Sequence, residues 1–319
     1  MVNSLYLAKR IVVAFLSVVA IASIVFGMTT AIPGSAAVIV LGTQRTPEAV
    51  AQLEEQMGLN EPLHERYLDF VLDTFTLNWG ESLISGQAVA ELVVPAFQKT
   101  LELALIAMLI SILIAIPLGV LTGAKRDSLF DSAILNTSYI AISVPSFVSA
   151  TLMLLFFTTP PFDFFPNGGY QPLGEGVLGW LHHLLLPAIS INFVIFAYVL
   201  RQTRSSMIET LESDYIRTAR LKGVAESKVL AKHALRNGLL PTITVLAINF
   251  GWMMGSVVII EEIFSYPGIG RLIVRAISSR DLPVLQAAIL VPTMTFVGAN
   301  LVADFLYSVL DPRIEMGEK

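Results

Sequence analysis

The stretch from Asp214 to Pro241, DYIRTARLKGVAESKVLAKHALRNGLLP, decides how this chain is read. It is basic, helix-forming and set between two hydrophobic runs. From Arg201 to Gly238 there are eight Lys or Arg against four Asp or Glu. Ser213 or Asp214 is placed to cap a helix running to Lys222. On that helix Tyr215, Ile216 and Ala219 share one side, while Arg217 and Arg220 lie elsewhere. Gly223 ends it, and a second helix restarts near Ala225 and Glu226 and climbs through Val229, Leu230 and Leu235. Two short helices about a glycine make a rigid knuckle. Such a helix can lie in a groove of a soluble partner and pass on its motion. It can equally rest on anionic lipid headgroups. The residues alone leave both readings open.

Working outward, composition sets the class. Of 319 residues 55% are hydrophobic and 14% charged, and the mean hydropathy is positive. A soluble domain carries about a quarter charged residues, so an integral membrane protein is expected. The net charge of −5 is partitioned by loop and says little by itself. No cysteine is present, which excludes disulfides, thiolate metal sites and a cysteine nucleophile.

A bilayer core of ~30 Å takes about 20 apolar residues. Six segments satisfy this: Ile11–Ile32, Leu101–Leu121, Ser132–Thr158 with a kink at Pro145, Leu184–Leu200, Leu239–Ile260, and Val284–Leu310 with Pro292 inside. The expected fold is all-α and polytopic, with six transmembrane helices. The expected divisions are an N-terminal helix over residues 1–32, an outer helical cap over 33–98, and a core over 99–315. That core would hold five spans and a cytoplasmic loop at 207–238. The Lys9-Arg10 start also suits a signal peptide, but the apolar run after it is long for one, so a retained span is expected.

Loop charges orient the chain. Residues 33–98 carry only Arg45 and Arg66 against nine acidic residues, and residues 159–183 carry no Lys or Arg. Lys9-Arg10, Lys125-Arg126 and the basic segment after Arg201 fall on the opposite side. The positive-inside rule places that side, with both termini, in the cytoplasm. Arg271, Arg275 and Arg280 break the pattern in the loop before the last span, which is therefore expected to be structured. In the outer segment Thr46-Pro47 is a helix start, with Val50, Leu53 and Met57 on one face and Gly58 as its stop. A second helix is expected from Pro62, with Leu63, Tyr67, Phe70 and Val71 as its apolar stripe.

The basic stretch resembles the cytoplasmic loop of binding-protein-dependent ABC importer permeases. Their pattern is Glu-Ala-Ala, three residues, Gly, nine residues, then Ile-x-Leu-Pro. Gly223 takes the glycine position and Ala219 the second alanine. Arg217 and Thr218 replace the first two residues, and His233-Ala234-Leu235-Arg236 replaces the closing four. These departures are similar to the dipeptide/oligopeptide/nickel branch, with its YIRTARxKG and HALRN wording. MGLNEPLHERYLDF (Met57–Phe70), EEIFSYPGIGRL (Glu261–Leu272) and DFLYSVLDPRI (Asp304–Ile314) resemble the same branch in the same order.

The resemblance implies one of two transmembrane subunits of a type I importer. The other would be a paralogous permease, forming a heterodimer. Two ATPase subunits would grip the knuckle through Asp214, Tyr215, Arg217, Thr218, Ala219, Arg220, Lys222 and Gly223. An extracytoplasmic binding protein would deliver the solute, with peptides the commonest cargo and nickel or another small solute the alternative. The chain itself lacks a GxxxxGKS/T loop, so it is expected to be non-catalytic and to bind no cofactor. ATP and Mg would belong to the ATPase subunits. A multi-pass protein of the cell membrane with no nucleic-acid partner follows.

Other residues carry weaker readings. Asn249 and the pair Gly251 and Gly255 in the fifth span, with Glu261, Glu262, Pro267, Gly268 and Arg271 after it, are the candidates for the pathway or its gate. Gly251-x-x-x-Gly255 also permits plain helix packing, and Asn192, Asn249 and Asn300 also suit hydrogen bonding between helices. Ile269, Leu272, Ile273 and Ala276 share one helical face, with Arg271 and Arg275 turned from it and Glu261 or Glu262 as ion-pair partners. Asp304 and Glu102 lie near span ends, where snorkelling or an Arg partner competes with a relay role. His182-His183 lacks a second ligand cluster, so no metal site is expected. A secondary transporter would show internal repeats or coupling charges at mid-membrane, and neither is clear. A membrane hydrolase would need a nucleophile with a nearby base, and neither such a pair nor HExxH is found.

Overall fold

The computed structural model describes residues 4–31, 34–42 and 46–310. All its regular elements there are helices. Five are long and apolar enough to cross a membrane, and a sharply bent pair makes a sixth crossing if counted as one span. The all-α, polytopic expectation holds. Residues 311–319, including the last four of the DFLYSVLDPRI ending, lie outside the described residues, as do Pro33 and Arg45.

Contacts divide the chain into two compact units, and the division falls within three of its long helices. One unit comprises residues 8–101 and 267–298. It holds α1 (Ser4–Ala31) from Ala8 onward, α2 (Ala36–Leu41), α3 (Pro47–Gln56) and α4 (Leu63–Thr76). The first part of α5 (Val89–Ile110) follows, and α14 (Ile269–Ser279) and the start of α15 (Leu282–Leu310) complete it. The cap forms as its residues dictate. Thr46 accepts the Ala49 amide at 3.2 Å, Pro47 opens α3, and Gly58 sits at φ +64° beyond its end. α4 then lays Tyr67 and Phe70 against Phe26 of α1, with ring centroids 5.6 and 5.5 Å apart. Tyr67 also shares a 2.7 Å hydrogen bond with Ser23. The cap is thus bolted to the first span rather than hung between spans.

In the same unit α14 (Ile269–Ser279) buries Ile269 and Ala276 with Val89, Val93 and Ala96 of α5. Leu272 and Ile273 pack on this cluster, so the face read from the sequence is the face that is buried. α15 (Leu282–Leu310) begins after Asp281, a buried carboxylate that accepts the Ser82 hydroxyl at 2.5 Å and the Leu83 amide at 3.2 Å. Burial against protein explains why α5 begins at Val89, well before the expected Leu101. Its first turns pack on protein, so they need no bilayer to fold.

The other unit comprises residues 102–266 with both terminal stretches. α5 passes through a wide π-helical turn at Ser111–Ala115 into α6 (Ile116–Ala124). α7 (Leu129–Ser143) and α8 (Ser146–Phe157) cover the expected third span, and the kink expected at Pro145 is a bend of 102° between them. The cause is local. A residue before proline is pushed from the helical region, and Val144 sits at φ −91°, ψ 121°. α9 (Val177–Leu211) is the spine of this unit, packed against α6, α7, α8 and α13 (Leu240–Ile263). It starts ten residues before Pro187, which lies inside it, and runs past the expected end at Leu200. The overrun is held by burial of Thr203, Ser206 and Met207.

Candidate functional site

The knuckle begins where α9 ends. α10 (Asp214–Leu221) follows Ser213, whose hydroxyl donates back to the Thr210 carbonyl at 2.5 Å and so does not cap the helix by its side chain. Gly223 then takes φ +74°. An L-residue with a side chain pays about 1–2 kcal/mol there, which is why the turn uses glycine. α11 (Glu226–Lys228), a second π-helical stretch (Val229–Ala234) and α12 (Leu235–Gly238) lead into α13.

Ile216 and Ala219 are the two residues of α10 that are buried, and with Met207, Val229 and Ala234 they form a small core of their own. Val120, Leu211, Val224, Leu230 and Leu235 pack around it. Asp214, Arg217, Thr218, Arg220 and Lys222 are exposed, and Leu221 is 81% exposed. Tyr215, grouped with Ile216 and Ala219 from the sequence, instead faces outward, with its hydroxyl accepting from the Asn237 amide at 3.0 Å. Arg220 grips Glu226 across the glycine with two hydrogen bonds of 3.1 and 2.7 Å. Those bonds hold the Glu226 carboxyl below the usual carboxylate range.

The base of the knuckle is anchored by residues that sequence patterns do not single out. Arg204 of α9 donates from Nε and Nη2 to the two oxygens of Asp131, both at 2.6 Å. Asp131 is 2% exposed and also accepts the Asp127 amide at 3.0 Å. Removing one partner of such a buried pair leaves an uncompensated charge, at a cost of about 3–5 kcal/mol. A second, exposed pair joins Arg126 to Glu212 at 2.6 Å. Together they tie the Lys125-Arg126 turn to the last turns of α9. Above them α6 lies almost backbone to backbone on α9. A Cβ on Gly119 would meet Thr203 Cβ at 2.6 Å and the Leu200 carbonyl at 2.8 Å, and one on Gly123 would meet Met207 Cβ at 2.8 Å. The signal available was the spacing Gly119-x-x-x-Gly123.

The pathway candidates scatter. Asn249 donates to the Val245 carbonyl of its own helix at 2.7 Å. Gly251 is buried, but a Cβ on Gly255 would meet nothing within 4 Å, so Gly255 gives no close packing within the chain. Asn192, by contrast, is buried and joins two helices: it accepts from Ser111 at 2.7 Å and donates to the Ala107 carbonyl. At the outer end of α13 Glu261 is wholly buried, its carbonyl accepting the Tyr266 amide at 2.8 Å, whereas Glu262 is exposed. Pro267 and Gly268 lead into α14, whose first amide, at Ile269, donates to Thr100 at 2.8 Å. Arg271 is half-buried on α14.

A polar cluster centres on Glu102, which lies inside α5 rather than at a span end. It accepts the Tyr170 hydroxyl at 3.0 Å and the Trp180 indole at 3.1 Å. Burial first, and then the Glu102 carboxylate, push the Tyr170 hydroxyl up to about 12. The Tyr170 ring meets Tyr266 edge-on at 5.5 Å, and burial pushes the Tyr266 hydroxyl up strongly. The backbone follows the same seam, with the Gly169 amide donating to the Phe264 carbonyl at 2.9 Å. Gly168 is required there, because a Cβ would stand 2.2 Å from that carbonyl oxygen. His182 and His183 lie within α9, bonded to the carbonyls of Phe164 and Gly179. Among the described residues no group of three or more His, Cys, Asp or Glu is placed to hold a metal.

Comparison with known proteins agrees with this architecture. Residues 115–316 match the family described as binding-protein-dependent transport system inner membrane component, and residues 3–104 match its N-terminal region. A Brucella abortus protein that carries the name of a peptide transport system permease is 37% identical over 306 residues, covering 96% of this chain and 97% of its own length. The dipeptide transport system permease protein DppB of Alkalihalophilus pseudofirmus is 35% identical, with 97% and 99% covered. The oligopeptide transport system permease protein AppB of Bacillus subtilis is 34% identical, again with 97% and 99% covered. The chain is a multi-pass membrane protein that belongs to the family of inner membrane components of binding-protein-dependent transport systems.

Proposed function

We propose that this chain is a permease subunit of an ATP-driven importer of di- or oligopeptides, coupled to ABC ATPase subunits through α10. It would form half of the pathway, with a paralogous permease as the other half and an extracytoplasmic binding protein as the source of peptide. The chain would hydrolyse nothing itself and hold no cofactor; ATP and Mg would be the ATPases' concern. It would lie in the cell membrane with both termini in the cytoplasm.

The observation that carries the coupling role is the division of α10. Two residues anchor it to a private core, and the rest of its surface stands free, including Leu221. A helix meant only to rest on lipid would turn its apolar residues to one face. Here cations and Leu221 are interleaved around a helix tied at its base, as suits a groove in a soluble partner. The names of the relatives support peptides as cargo.

The test uses the whole complex in proteoliposomes. Gly223→Val forces a β-branched residue to positive φ, whereas Gly223→Asn tolerates that conformation. We expect Gly223→Val to lose at least tenfold of the ATPase stimulation given by loaded binding protein, with membrane-inserted protein retained, and Gly223→Asn to keep most of it. Normal stimulation in Gly223→Val and in a bulky Ala219→Leu variant would overturn the coupling assignment.

A further inference from the structure

Arg201 is a charge that the coupling role leaves unused, standing directly after the expected fourth span. It follows the apolar run of α9 directly and stands ten residues before the end of that helix, from 201 to 211. At about 1.5 Å per residue this is about 15 Å from the helix end. Its guanidinium carbon lies 5.4 Å from the ring centroid of Tyr139 on α7 and 5.4 Å from that of Tyr198 on α9. Both rings are about half exposed, at 53% and 47%. Arg204, one turn further on, is neutralised by Asp131. Arg201 has no such partner: among the described residues no acceptor meets its N–H groups, and neither phenol hydroxyl is hydrogen-bonded.

The cluster therefore presents a positive charge whose N–H groups have no acceptor among the described residues. A guanidinium offers five N–H donors, both rings lie within cation–π distance of it, and each ring carries a hydroxyl that can donate as well as accept. A guanidinium at the end of a span keeps its N–H groups in contact with water or polar groups rather than lipid tails. The ligand that matches is an oxyanion, which accepts several charge-assisted hydrogen bonds at once.

We propose that Arg201, Tyr139 and Tyr198 form an oxyanion site, and that its ligand is the C-terminal carboxylate of a peptide in transit. The second clause rests on the peptide reading above. Every unmodified peptide carries that carboxylate whatever its side chains, so it is a handle for a pathway that takes many sequences. A phospholipid phosphate shares the chemistry, and the experiment separates the two.

The complete complex is reconstituted in phosphatidylethanolamine with phosphatidylglycerol, and tripeptide uptake and ATP hydrolysis are measured in the same vesicles. Bound phosphatidylglycerol is counted by native mass spectrometry. We expect Arg201→Gln to lower peptide moved per ATP about tenfold, the effect of losing a charged hydrogen-bond partner. ATPase stimulation and lipid count should hold, Arg201→Lys should recover part of the uptake, and Tyr198→Phe, which removes only an exposed hydroxyl, should lose a smaller part. A fall in bound lipid with peptide per ATP unchanged overturns the carboxylate assignment and makes this a lipid-phosphate site. No change in either quantity overturns the site. A wild-type complex whose ATPase responds to binding protein but which takes up no peptide overturns the peptide reading alone, and the lipid count then judges the site.

Discussion

Asp131 receives three hydrogen bonds in a place almost closed to water, and its loss exposes the difference between buried and surface charge. Asp131→Asn leaves Arg204 half-paired, and the expected destabilisation is about 3–5 kcal/mol. Glu212→Gln removes the Arg126 pair, whose side chains are 50% and 66% exposed, and should cost about 0–1 kcal/mol. Thermal unfolding in detergent checks the order, and an equal effect of the two would contradict it. Glu226 gives the pH counterpart. Its carboxyl is lowered from the ordinary 4.5 by the Arg220 hydrogen bonds, so the pair's contribution is complete above that value and disappears as pH falls through the lowered one. Both side chains are well exposed, so the stability gap between wild type and Glu226→Gln should be under about 1 kcal/mol at neutral pH. It should close in acid below the usual carboxylate range. Neither pair was legible in the sequence. Asp131 and Arg204 stand 73 positions apart, and Arg220 reaches Glu226 across a left-handed glycine rather than along one helix.

Helices meet closely only where both surfaces allow it, and the two GxxxG spacings of this chain part company on that point. Gly119 and Gly123 hold α6 against the α9 backbone, while Gly255 opens onto empty space. Gly119→Val should therefore abolish the folded protein in a size-exclusion assay, because the carbonyl of Leu200 cannot move aside. Gly255→Val should leave the single chain folded. Spacing alone could not distinguish them, since the partner surface is about 80 residues away in sequence for one and the described residues supply none for the other. The cap helices were legible almost residue for residue because their signals are local: Thr46, Pro47, Gly58 and Pro62 act on their immediate neighbours. Pro145 marked the break between α7 and α8, but its 102° angle depends on what each half packs against. The wide turns at Ser111–Ala115 and Val229–Ala234 left no mark in composition.

At the scale of the whole molecule the orientation proposed from loop charges has a direct check, because the chain contains no cysteine to interfere. Ser85→Cys in the cap and Ser227→Cys in the knuckle are both exposed sites. An impermeant maleimide should label the first on intact cells and the second only after the membrane is opened. The reverse pattern would invert the topology. The apolar spans and the basic helical segment between α9 and α13 were legible because both are written into local composition. The grouping of the cap with α14 and the start of α15 was not, since it joins segments about 200 positions apart through Ser82 and Asp281. The wide turn between α11 and α12 has one more effect. A π turn holds one residue more than the α turn it replaces. Deleting one residue within 229–234 would let the stretch close into an ordinary α turn that sweeps the same circle, so the helix beyond it would keep its facing. One deleted from the regular α13 would instead turn everything past it by about 100° about the helix axis. The wide turn is thus a place where the chain can change length without re-aiming the knuckle, and a gap here between two otherwise similar chains would leave the exposed face of α10 pointing the same way.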